Sequence, residues 1–507
     1  MRGARSSDVK SGAGPINQVR SSVVLVDLNN FATFPTLAIG LLIAALRDAA
    51  FDVQLISPLA HDVPAAERER AETVLDHLAR RVNLSTKPSL RWLRDLARNL
   101  RSGWRDRIHP KVLVEVTAAL QQRPAAILLS AYLQHYHTVA AIGRVSAAQG
   151  VPLILGGPMF NQPETADVWR KLPGITAIVG AEADLSVPDI VAAISAGEDP
   201  LQFAGVVLPD GRRSPAAPPL RPLDALPVPD FSDFPWDRYR VHIIPLMAGR
   251  GCQWSRCTFC SDVASVSGRT FRTRHVDAVL NEMREQSRRH QTTNFLFLDL
   301  KLNSSPAMFR GIIEGVQRNV RGAEWIGTVH VDQRRDNGLS RNDLRAAAAS
   351  GMRRISFGLE SGSQRMLDLM DKGCRVEANS DFVCEAHEAG LSVRATMFKG
   401  YPGETAADLD LTAEFLRRHS RYLDRVRFND FSIQAGTPVY QSVIEDPAHF
   451  PNIRIRRLDH RAARATYVST DAGDAAYRRA KAGVARAVYE INRRRLRSSA
   501  QVFDGLM

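Results

Sequence analysis

Three cysteines in one short stretch, GRGCQWSRCTFCSD (249–262), are the residues of this chain whose types and spacing point most clearly to chemistry. Cys252, Cys257 and Cys260 follow a C-x4-C-x2-C pattern, with no fourth cysteine nearby. Thiolates are the usual protein ligands of iron–sulfur clusters, and so short a loop keeps three sulfurs within reach of one small inorganic core. The spacing therefore predicts a cubane held at three corners, with its fourth iron open to another molecule.

Spacing alone also allows a zinc knuckle, or three buried cysteines that fall close together by chance. A tetrahedral zinc site needs a fourth ligand, and the first histidine after Cys260 is His275. The spacing favours the cluster over both.

The strands that must position this loop follow it in the sequence. Apolar runs of four to eight residues (FLFL, ISFGL, VRATMF, VRFNDF) alternate with helical patterns such as VDAVLNEMREQSRR. Near-continuous apolar strands that alternate with helices predict a parallel sheet covered by helices, either open or closed into a barrel. In such barrels the chemistry lies at the carboxyl ends of the strands.

Four segments, in order and over roughly residues 240–440, resemble the radical S-adenosylmethionine (SAM) superfamily. They are the cysteine loop with its CTFC aromatic, NFLFLDLKLN (294–303), RISFGLESGSQRMLDLMDKG (354–373) and VRATMFKGYPGET (393–405). The last three resemble the family's second, fourth and fifth strands of a partial TIM-like (β/α) barrel. One departure is the cysteine spacing, because the family's common pattern is C-x3-C-x2-C and this chain has one more residue between Cys252 and Cys257.

The resemblance implies a 4Fe-4S cluster on the cysteines and SAM on its open iron. Glu360 and Arg394 lie on adjacent predicted strands, where they are expected to bind the ribose or amino group and the carboxylate of SAM; a buried salt bridge between the two is the alternative. Asp299 is a further candidate, near the amino group or the substrate. Gly400 and Gly403 are expected to shape the adenine loop.

The N-terminal half predicts a doubly wound, Rossmann-like domain, whose ligands lie at the carboxyl ends of the strands. Its strand patterns are VVLVDL (23–28), VQLISP (53–58), AAILLSAY (125–132), VPLILGGP (151–158) and ITAIVGAEAD (175–184). With the cysteines downstream, this half resembles the cobalamin-binding domain of cobalamin-dependent radical enzymes. The resemblance rests on the helix after the first strand, on VPLILGGP and on IVGAEAD.

Gly156 and Gly157 would let a corrin ring or its tail approach the backbone. The loop after the first strand, DLNNFATFPTLAIG, lacks the histidine that methionine-synthase-like domains supply to cobalt in a D-x-H-x-x-G motif. Cobalamin is therefore expected to bind without a protein histidine ligand, and a degenerate domain that binds nothing stays open. For His135 and His137, ordinary loop or helix-cap roles are favoured.

These patterns divide the chain into five regions. They are a disordered N-terminus (1–20), a cobalamin-binding-like domain (21–205) with a helical insertion at about 64–122, a Pro-rich linker (206–240), a radical SAM barrel (241–440) and a helical, Arg-rich C-terminal region (441–507). The insertion is expected to be a cover or a partner surface, with mere decoration equally open.

Composition bounds the environment of the protein. Five cysteines, three of them clustered, form no disulfide framework, so a reducing cytoplasm is predicted. The longest apolar run, LAIGLLIAAL, is about half of a membrane span, and residues 1–20 lack the apolar core of a secretory signal. The net charge of +13 could attract nucleic acid, but no aromatic-interleaved basic stripe supports that.

The leading functional hypothesis is a cobalamin-dependent radical SAM methyltransferase that acts on an unactivated carbon of a natural product, peptide or lipid, with an electron donor such as flavodoxin or ferredoxin. The alternative within enzymes is radical rearrangement or cyclisation with cobalamin unused or absent. A non-catalytic cobalamin or redox sensor that binds nucleic acid is a third hypothesis. Methylthiotransfer is disfavoured, because no cysteine in the N-terminal half could hold a second cluster.

Overall fold

The computed structural model of the chain describes residues 21–31, 33–63, 70–83, 85, 109–180, 182–261, 271–332 and 338–506, with scattered positions between 89 and 100. In these residues two α/β sheets follow one another, and a small antiparallel sheet and a long helix come after them. The predicted disorder of residues 1–20 lies outside the described residues. Among the described residues, no helix combines the length and apolarity needed to cross a bilayer.

The first sheet is the predicted doubly wound domain. Its strands are β1 (Ser22–Asp27), β2 (Asp52–Ile56), β3 (Ala126–Ser130), β4 (Leu153–Gly156), β5 (Ile175–Val179) and β6 (Val206–Val207). They lie in the order β2-β1-β3-β4-β5-β6, and only β6 is antiparallel to its neighbour. Both faces are covered by helices, which is why these strands are apolar almost throughout. The fold class predicted for this half is confirmed.

Six described helices accompany this sheet: α1 (Leu37–Asp48), α2 (Val74–Asn83), α3 (Pro110–Gln121), α4 (Tyr136–Gln149), α5 (Pro163–Trp169) and α6 (Val187–Ala196). Of these, α2 belongs to the predicted insertion and has no buried residue.

The predicted linker is largely extended but is part of the packed structure. The boundary at 205 falls one residue before β6, which pairs with β5 and therefore belongs to the first sheet. Further on, Phe231 and Phe234 are buried in the main hydrophobic core. A Cβ added at Gly40 in α1 would lie 2.3 Å from the Phe231 ring, so the missing side chain makes room for this contact. Proline-rich composition indicated extension correctly and gave no sign of this anchoring.

The second sheet is a six-stranded parallel array, the predicted partial barrel. It begins with β7 (Ile244–Leu246), which is followed in the sequence by a separate two-stranded hairpin, β8 (Gly249–Arg250) and β9 (Arg272–Thr273). The other five strands of the sheet are β10 (Asn294–Phe297), β11 (Glu324–Val329), β12 (Met352–Glu360), β13 (Ser392–Lys399) and β14 (Arg425–Asp430). The order is β7-β10-β11-β12-β13-β14. The segments predicted as the second, fourth and fifth strands are β10, β12 and β13, in those positions.

Helices connect these strands as in other parallel α/β folds. They are α7 (Val276–His290), α8 (Pro306–Asn319), α9 (Arg341–Ala349), α10 (Gln364–Leu369), α11 (Val376–Glu388) and α12 (Ala406–Arg418).

The C-terminal region is helical only in part. It contains β15 (Ile433–Gln434), α13 (Pro438–Glu445), β16 (Ile453–Asp459), β17 (Arg464–Ser469) and α14 (Ala475–Asn492). The three strands form an antiparallel sheet, and two of them, β16 and β17, lie where the sequence predicted helix from 441 onward. Alternation of Ile453 and Ile455 with arginines was the strand signal, and the arginine content hid it.

The residues after α14 close the amino end of the barrel. Phe503 and Leu506 are buried against the barrel residues Leu296 and Ile326. The Arg354 guanidinium, fully buried in β12, donates hydrogen bonds to the carbonyl oxygens of Phe503 (3.1 Å) and Leu506 (3.0 Å). A buried cation therefore ties the end of the described chain to the middle of the second sheet.

Replacement of this cation should cost more stability than replacement of its exposed neighbour. We expect Arg354→Met to lower the free energy of unfolding by roughly 2–5 kcal/mol, because two buried carbonyl oxygens lose their donor. The control Arg353→Met, which removes a half-exposed ion pair with Glu324, should cost less than about 1 kcal/mol. Urea denaturation measures both values, and equal losses would contradict this role for Arg354.

Candidate functional site

The cysteine loop leaves the fold from the β8–β9 hairpin, and the buried Asp299 carboxylate fixes that hairpin. Its two oxygens accept hydrogen bonds from the backbone N–H groups of Ala248 (3.0 Å) and Gly249 (2.6 Å). Burial raises the pKa of Asp299 to about 7, against the lowering effect of these bonds. The side chain predicted to bind SAM or substrate thus holds the start of the cysteine loop.

The middle of the loop is anchored to the segment that follows α10. The Trp254 indole N–H donates to the Asp371 carbonyl oxygen (2.6 Å), and the Thr258 backbone N–H donates to that of Met370 (3.0 Å). The Thr258 hydroxyl also lies 2.7 Å from the Tyr401 hydroxyl, in the loop after β13. The residues between the cysteines therefore hold the loop against two segments of the barrel, one after α10 and one after β13.

The three predicted cluster ligands are half-buried cysteines, and none of them is in a disulfide bond. The pKa of Cys257 is raised to about 12, mainly by burial and further by the neighbouring Cys252 and Cys260. A metal core would stabilise the deprotonated form of these cysteines, because its positively charged irons would offset the repulsion between the thiolates. In the part of the chain that the structure describes, no three His, Cys, Asp or Glu side chains group as they would around a single metal ion. A cubane instead places each thiolate on a different iron, so the donor set fits a cluster.

Glu360 forms a buried ion pair that the sequence analysis missed. It ends β12 with a positive φ of 56°, and its Oε1 accepts a hydrogen bond from Lys372 Nζ (2.9 Å). The same Nζ lies 5.6 Å from the Phe259 ring centroid, and its charge lowers the pKa of Cys257. Lys372 is part of the MDKG segment. Because it is twelve residues from Glu360 along the chain, no local signal in the sequence indicated that the two side chains pair.

Arg394 lies at a different height in the barrel. Its register partners are Ser356 and Arg425, the first residue of β14, whereas Glu360 is opposite Met397, three residues further along β13. The adjacency of the two strands suggested that Glu360 and Arg394 meet, but the register separates them. The described residues show no salt bridge between the two side chains, and the separate SAM contacts predicted for them stay predictions.

A turn rich in glycine follows β13. Gly400 and Gly403 have φ values of 84° and 83°, a region that favours glycine. The Gly400 N–H donates to Glu404 Oε2 (2.7 Å), which also accepts from the Tyr477 hydroxyl (2.7 Å), while the Tyr467 hydroxyl donates to the Gly400 carbonyl oxygen (2.6 Å). The C-terminal region, interpreted from sequence as a tail, therefore holds the predicted adenine loop.

A cavity of ≈ 390 Å³ lies where the carboxyl ends of β3, β4 and β5 meet the β8–β9 hairpin. Its lining is mostly aliphatic and backbone, and includes Gly156, Gly157, Gly251, Leu298 and Leu300. Gly251 immediately precedes Cys252, so the cavity reaches the residue before the first cysteine of the loop. None of the described residues that line it is a histidine.

The two glycines of VPLILGGP differ in their surroundings. A Cβ at Gly156 would have its nearest atoms at 3.9 Å, both backbone carbonyl oxygens. A Cβ at Gly157 would lie 2.8 Å from the Ala131 carbonyl oxygen and 3.2 Å from the Phe160 ring. Internal packing thus explains the glycine at 157 without a ligand, whereas the space beside Gly156 belongs to the cavity.

Two ion pairs join the domains at the cavity wall. Arg272 makes two hydrogen bonds to Glu182 (2.5 and 2.7 Å), and Arg250 makes two to Asp184 (2.8 and 3.1 Å). The Arg272–Glu182 side chains are almost fully buried, so loss of one partner would leave an uncompensated charge. The hairpin that carries the cysteine loop is therefore fixed to the first domain as well as to the second.

Comparison with known families identifies the second sheet. Residues 246–416 match the model of the radical SAM superfamily. Residues 246–416 therefore form a radical SAM domain. A radical SAM domain implies a 4Fe-4S cluster and SAM, and the cysteine loop lies within the matched residues.

Relatives extend the likeness over both domains. An uncharacterized methyltransferase of Pyrococcus horikoshii is 26% identical over 61% of this chain and 66% of its own length. The solved structure of OxsB, a cobalamin-dependent SAM radical enzyme with aqua-cobalamin bound, has a TM-score of 0.65 at 16% identity, over 89% of this chain and 65% of OxsB. The radical SAM methyltransferase TsrM of Kitasatospora setae, with cobalamin and a 4Fe-4S cluster bound, has a TM-score of 0.60 at 17% identity, over 86% and 77%.

At these identities the solved structures show a shared fold. The chain spans just under two thirds of the first two of these relatives. The Rossmann-like domain in front of a radical SAM domain, predicted from sequence, is thereby confirmed as an architecture.

His135 and His137 lie away from the radical SAM loop and its cavity. Neither is among the residues that line the cavity. His137 Nε2 instead lies 3.3 Å from Arg461 Nη1, in the turn between β16 and β17. His135 is the residue before α4 and His137 lies in the first turn of that helix.

The buried Glu404 should make stability depend on pH. Burial raises its pKa from the usual 4.5 to about 7. The folded state therefore holds a proton that the unfolded chain releases between these values, and the free energy of unfolding falls as pH rises from 4.5 to 7. We expect Glu404→Gln, whose amide oxygen can still accept the two bonds, to reduce this fall by about 3 kcal/mol. Urea denaturation across this range tests it, and parallel pH curves for both proteins would contradict it.

Proposed function

We propose that this protein is a cobalamin-dependent radical SAM methyltransferase that acts on an unactivated carbon of a natural product, peptide or lipid. The observation that carries the proposal is the cavity at the carboxyl ends of the first sheet, which reaches Gly251 beside the first cysteine of the loop. A cofactor in that cavity and a cluster on that loop would lie next to each other.

We assign Cys252, Cys257 and Cys260 as the cluster ligands. A bound cluster supplies the electron that cleaves SAM to methionine and a 5′-deoxyadenosyl radical, which abstracts hydrogen from the substrate. The chain positions the thiols through the hairpin held by Asp299 and the anchor at Trp254. Lys372 places a buried positive charge beside them, which favours the thiolate form.

For SAM, we assign Glu360 to the ribose or amino group and the Gly400–Glu404 turn to the nucleoside. Glu360 is at the carboxyl end of β12. Its ion-pair partner, Lys372, also lies over the ring of Phe259 in the cysteine loop. SAM bound there would compete with Lys372 for the carboxylate. Arg394, three register positions toward the amino end, is left out of this assignment.

For cobalamin, we assign the cavity beside Gly156. The cofactor supplies a cobalt that carries the methyl group. Aliphatic side chains and exposed backbone suit a large planar ligand, and the cavity is partly open to solvent, so a ligand larger than ≈ 390 Å³ can extend outward. None of the described residues that line the cavity is a histidine, so cobalamin bound there would have no imidazole from these residues beside it.

Methyl transfer is preferred to other radical chemistry for two reasons. The Pyrococcus relative and TsrM both carry the name methyltransferase. Methylthiotransfer would need ligands for a second cluster, and the first 251 residues contain no cysteine. Rearrangement is the second candidate, and a product without an added methyl group would identify it. We expect a small-molecule or peptide substrate and a flavodoxin or ferredoxin as electron donor in a reducing cytoplasm.

Removal of any cluster cysteine should abolish SAM cleavage. Cys252→Ala, Cys257→Ala and Cys260→Ala, each reconstituted anaerobically with iron and sulfide, are expected to lose the visible cluster absorption and to release no 5′-deoxyadenosine above background. Cys384→Ala, on α11, is the matched control and should behave as wild type. Undiminished 5′-deoxyadenosine release from all three variants would overturn the assignment.

A side chain that fills the cavity should displace cobalamin and spare the cluster. Gly156→Leu is expected to weaken hydroxocobalamin binding about tenfold or more, because the leucine occupies space that the ligand needs. Gly473→Leu is the control, since nothing lies within 4 Å of a Cβ there. Cobalamin retained on gel filtration gives the measurement. If Gly156→Leu binds cobalamin as wild type does, the cofactor lies elsewhere.

A further inference from the structure

The helix α2 is attached to the protein by its polar side. Just before it, the Glu72 backbone N–H donates to the Asn492 carbonyl oxygen (3.0 Å), and Asn492 Nδ2 donates to Glu72 Oε1 (2.6 Å). Within it, the His77 ring stacks on Tyr489, with centroids 4.6 Å apart. Both partners lie at the end of α14. An amphipathic helix on a protein surface normally does the reverse and buries its apolar side.

The apolar side of α2 faces outward. Val74, Leu75, Leu78 and Val82 cover an arc of about 100° around the helix, and their exposure runs from 39% (Val82) to 75% (Leu75). No residue of α2 is buried. Formation of this helix costs conformational entropy, and no burial of its apolar side chains within the described residues offsets that cost.

Exposed apolar side chains continue in the sequence beyond α2. Of the fifteen large apolar side chains that are exposed in the described residues, eight lie between 74 and 100, and the other seven are spread from 114 to 458. The four beyond α2 are Trp92, Leu93, Leu96 and Leu100. We call these eight side chains the insertion face. Such a concentration marks a surface that binds something, whereas apolar residues scattered singly need no explanation.

Charge indicates what the insertion face binds. Residues 74–100 contain six Lys or Arg and two Asp or Glu, a net charge of +4. A stretch rich in leucine and arginine that also contains a tryptophan has the composition of helices that lie in the interface of an anionic bilayer. Apolar side chains enter the boundary of the acyl chains, and arginines meet the phosphates.

We propose that the insertion face docks this protein on an anionic lipid surface. The apolar residues lie in the lipid interface, and the polar contacts of Glu72 and His77 with α14 keep the catalytic domains above it. This association is peripheral and does not depend on the proposed methyl transfer.

The test is partition of the full-length protein into vesicles. Wild type is expected to sediment with vesicles of phosphatidylglycerol and phosphatidylcholine in equal parts, and much less with phosphatidylcholine alone or at high salt. Leu75→Ser/Leu78→Ser should lower the partition coefficient about tenfold or more. Val114→Ser/Leu411→Ser, which changes two exposed apolar residues outside the insertion face, should leave it unchanged. Thermal unfolding by circular dichroism checks that both double variants are folded.

Three results would overturn the proposal. The first is no sedimentation with anionic vesicles, and the second is equal sedimentation of wild type and Leu75→Ser/Leu78→Ser. The third is a dimer in light scattering, lost in that variant and accompanied by no vesicle binding, which would assign the insertion face to a protein partner. Cobalamin retention and SAM cleavage are measured on the same preparations. These two readouts test the proposed function, and vesicle binding tests the insertion face independently of them.

Discussion

Two backbone hydrogen bonds to one buried carboxylate determine where the cysteine loop begins. Asp299 follows a central barrel strand, and by accepting from Ala248 and Gly249 it aligns the β8–β9 hairpin at the carboxyl end of the second sheet. From that point Trp254 and Thr258 tie the loop to the segment after α10. These bonds hold the described part of the cysteine loop against the segment after α10 and the turn after β13.

The same hairpin connects the two domains. Arg250 and Arg272 reach from its strands to the carboxylates of Asp184 and Glu182, at the end of the first sheet. One short element therefore carries the cysteine loop and forms a wall of the cavity. Relative motion of the domains would separate buried charges, which is costly, so the distance between a cluster and a cofactor in the cavity is set by the fold rather than left to a flexible linker.

Sequence reasoning predicted those elements whose signal is local. Strands β10, β12 and β13 each contain a short run that is mostly apolar, and they were found in the correct positions. Strand β11 was missed because Glu324, Gly327 and Thr328 interrupt its apolar pattern. The antiparallel sheet was missed because arginines are as numerous as apolar residues along β16.

Within the site, pairings distant along the chain were the difficult part. The type of Glu360 and its place at a strand end were predictable, whereas its partner Lys372 depends on how the chain returns after α10. Arg394 was assigned by strand adjacency, but register decides which side chains meet, and no local pattern encodes it here. The Gly400 turn is supported by Tyr467 and Tyr477 from the C-terminal region, where Tyr477 lies on a helix that was predicted and Tyr467 on a strand that was predicted as helix.

The central claim is that three cysteines hold a cubane whose fourth iron is open to SAM. Mössbauer spectroscopy of protein reconstituted with 57Fe, recorded before and after addition of SAM, tests it most directly. The account predicts the spectrum of a four-iron cubane in which the signal of one iron alone changes when SAM binds. A spectrum without a cubane, or one that SAM leaves unchanged at all four irons, would contradict it.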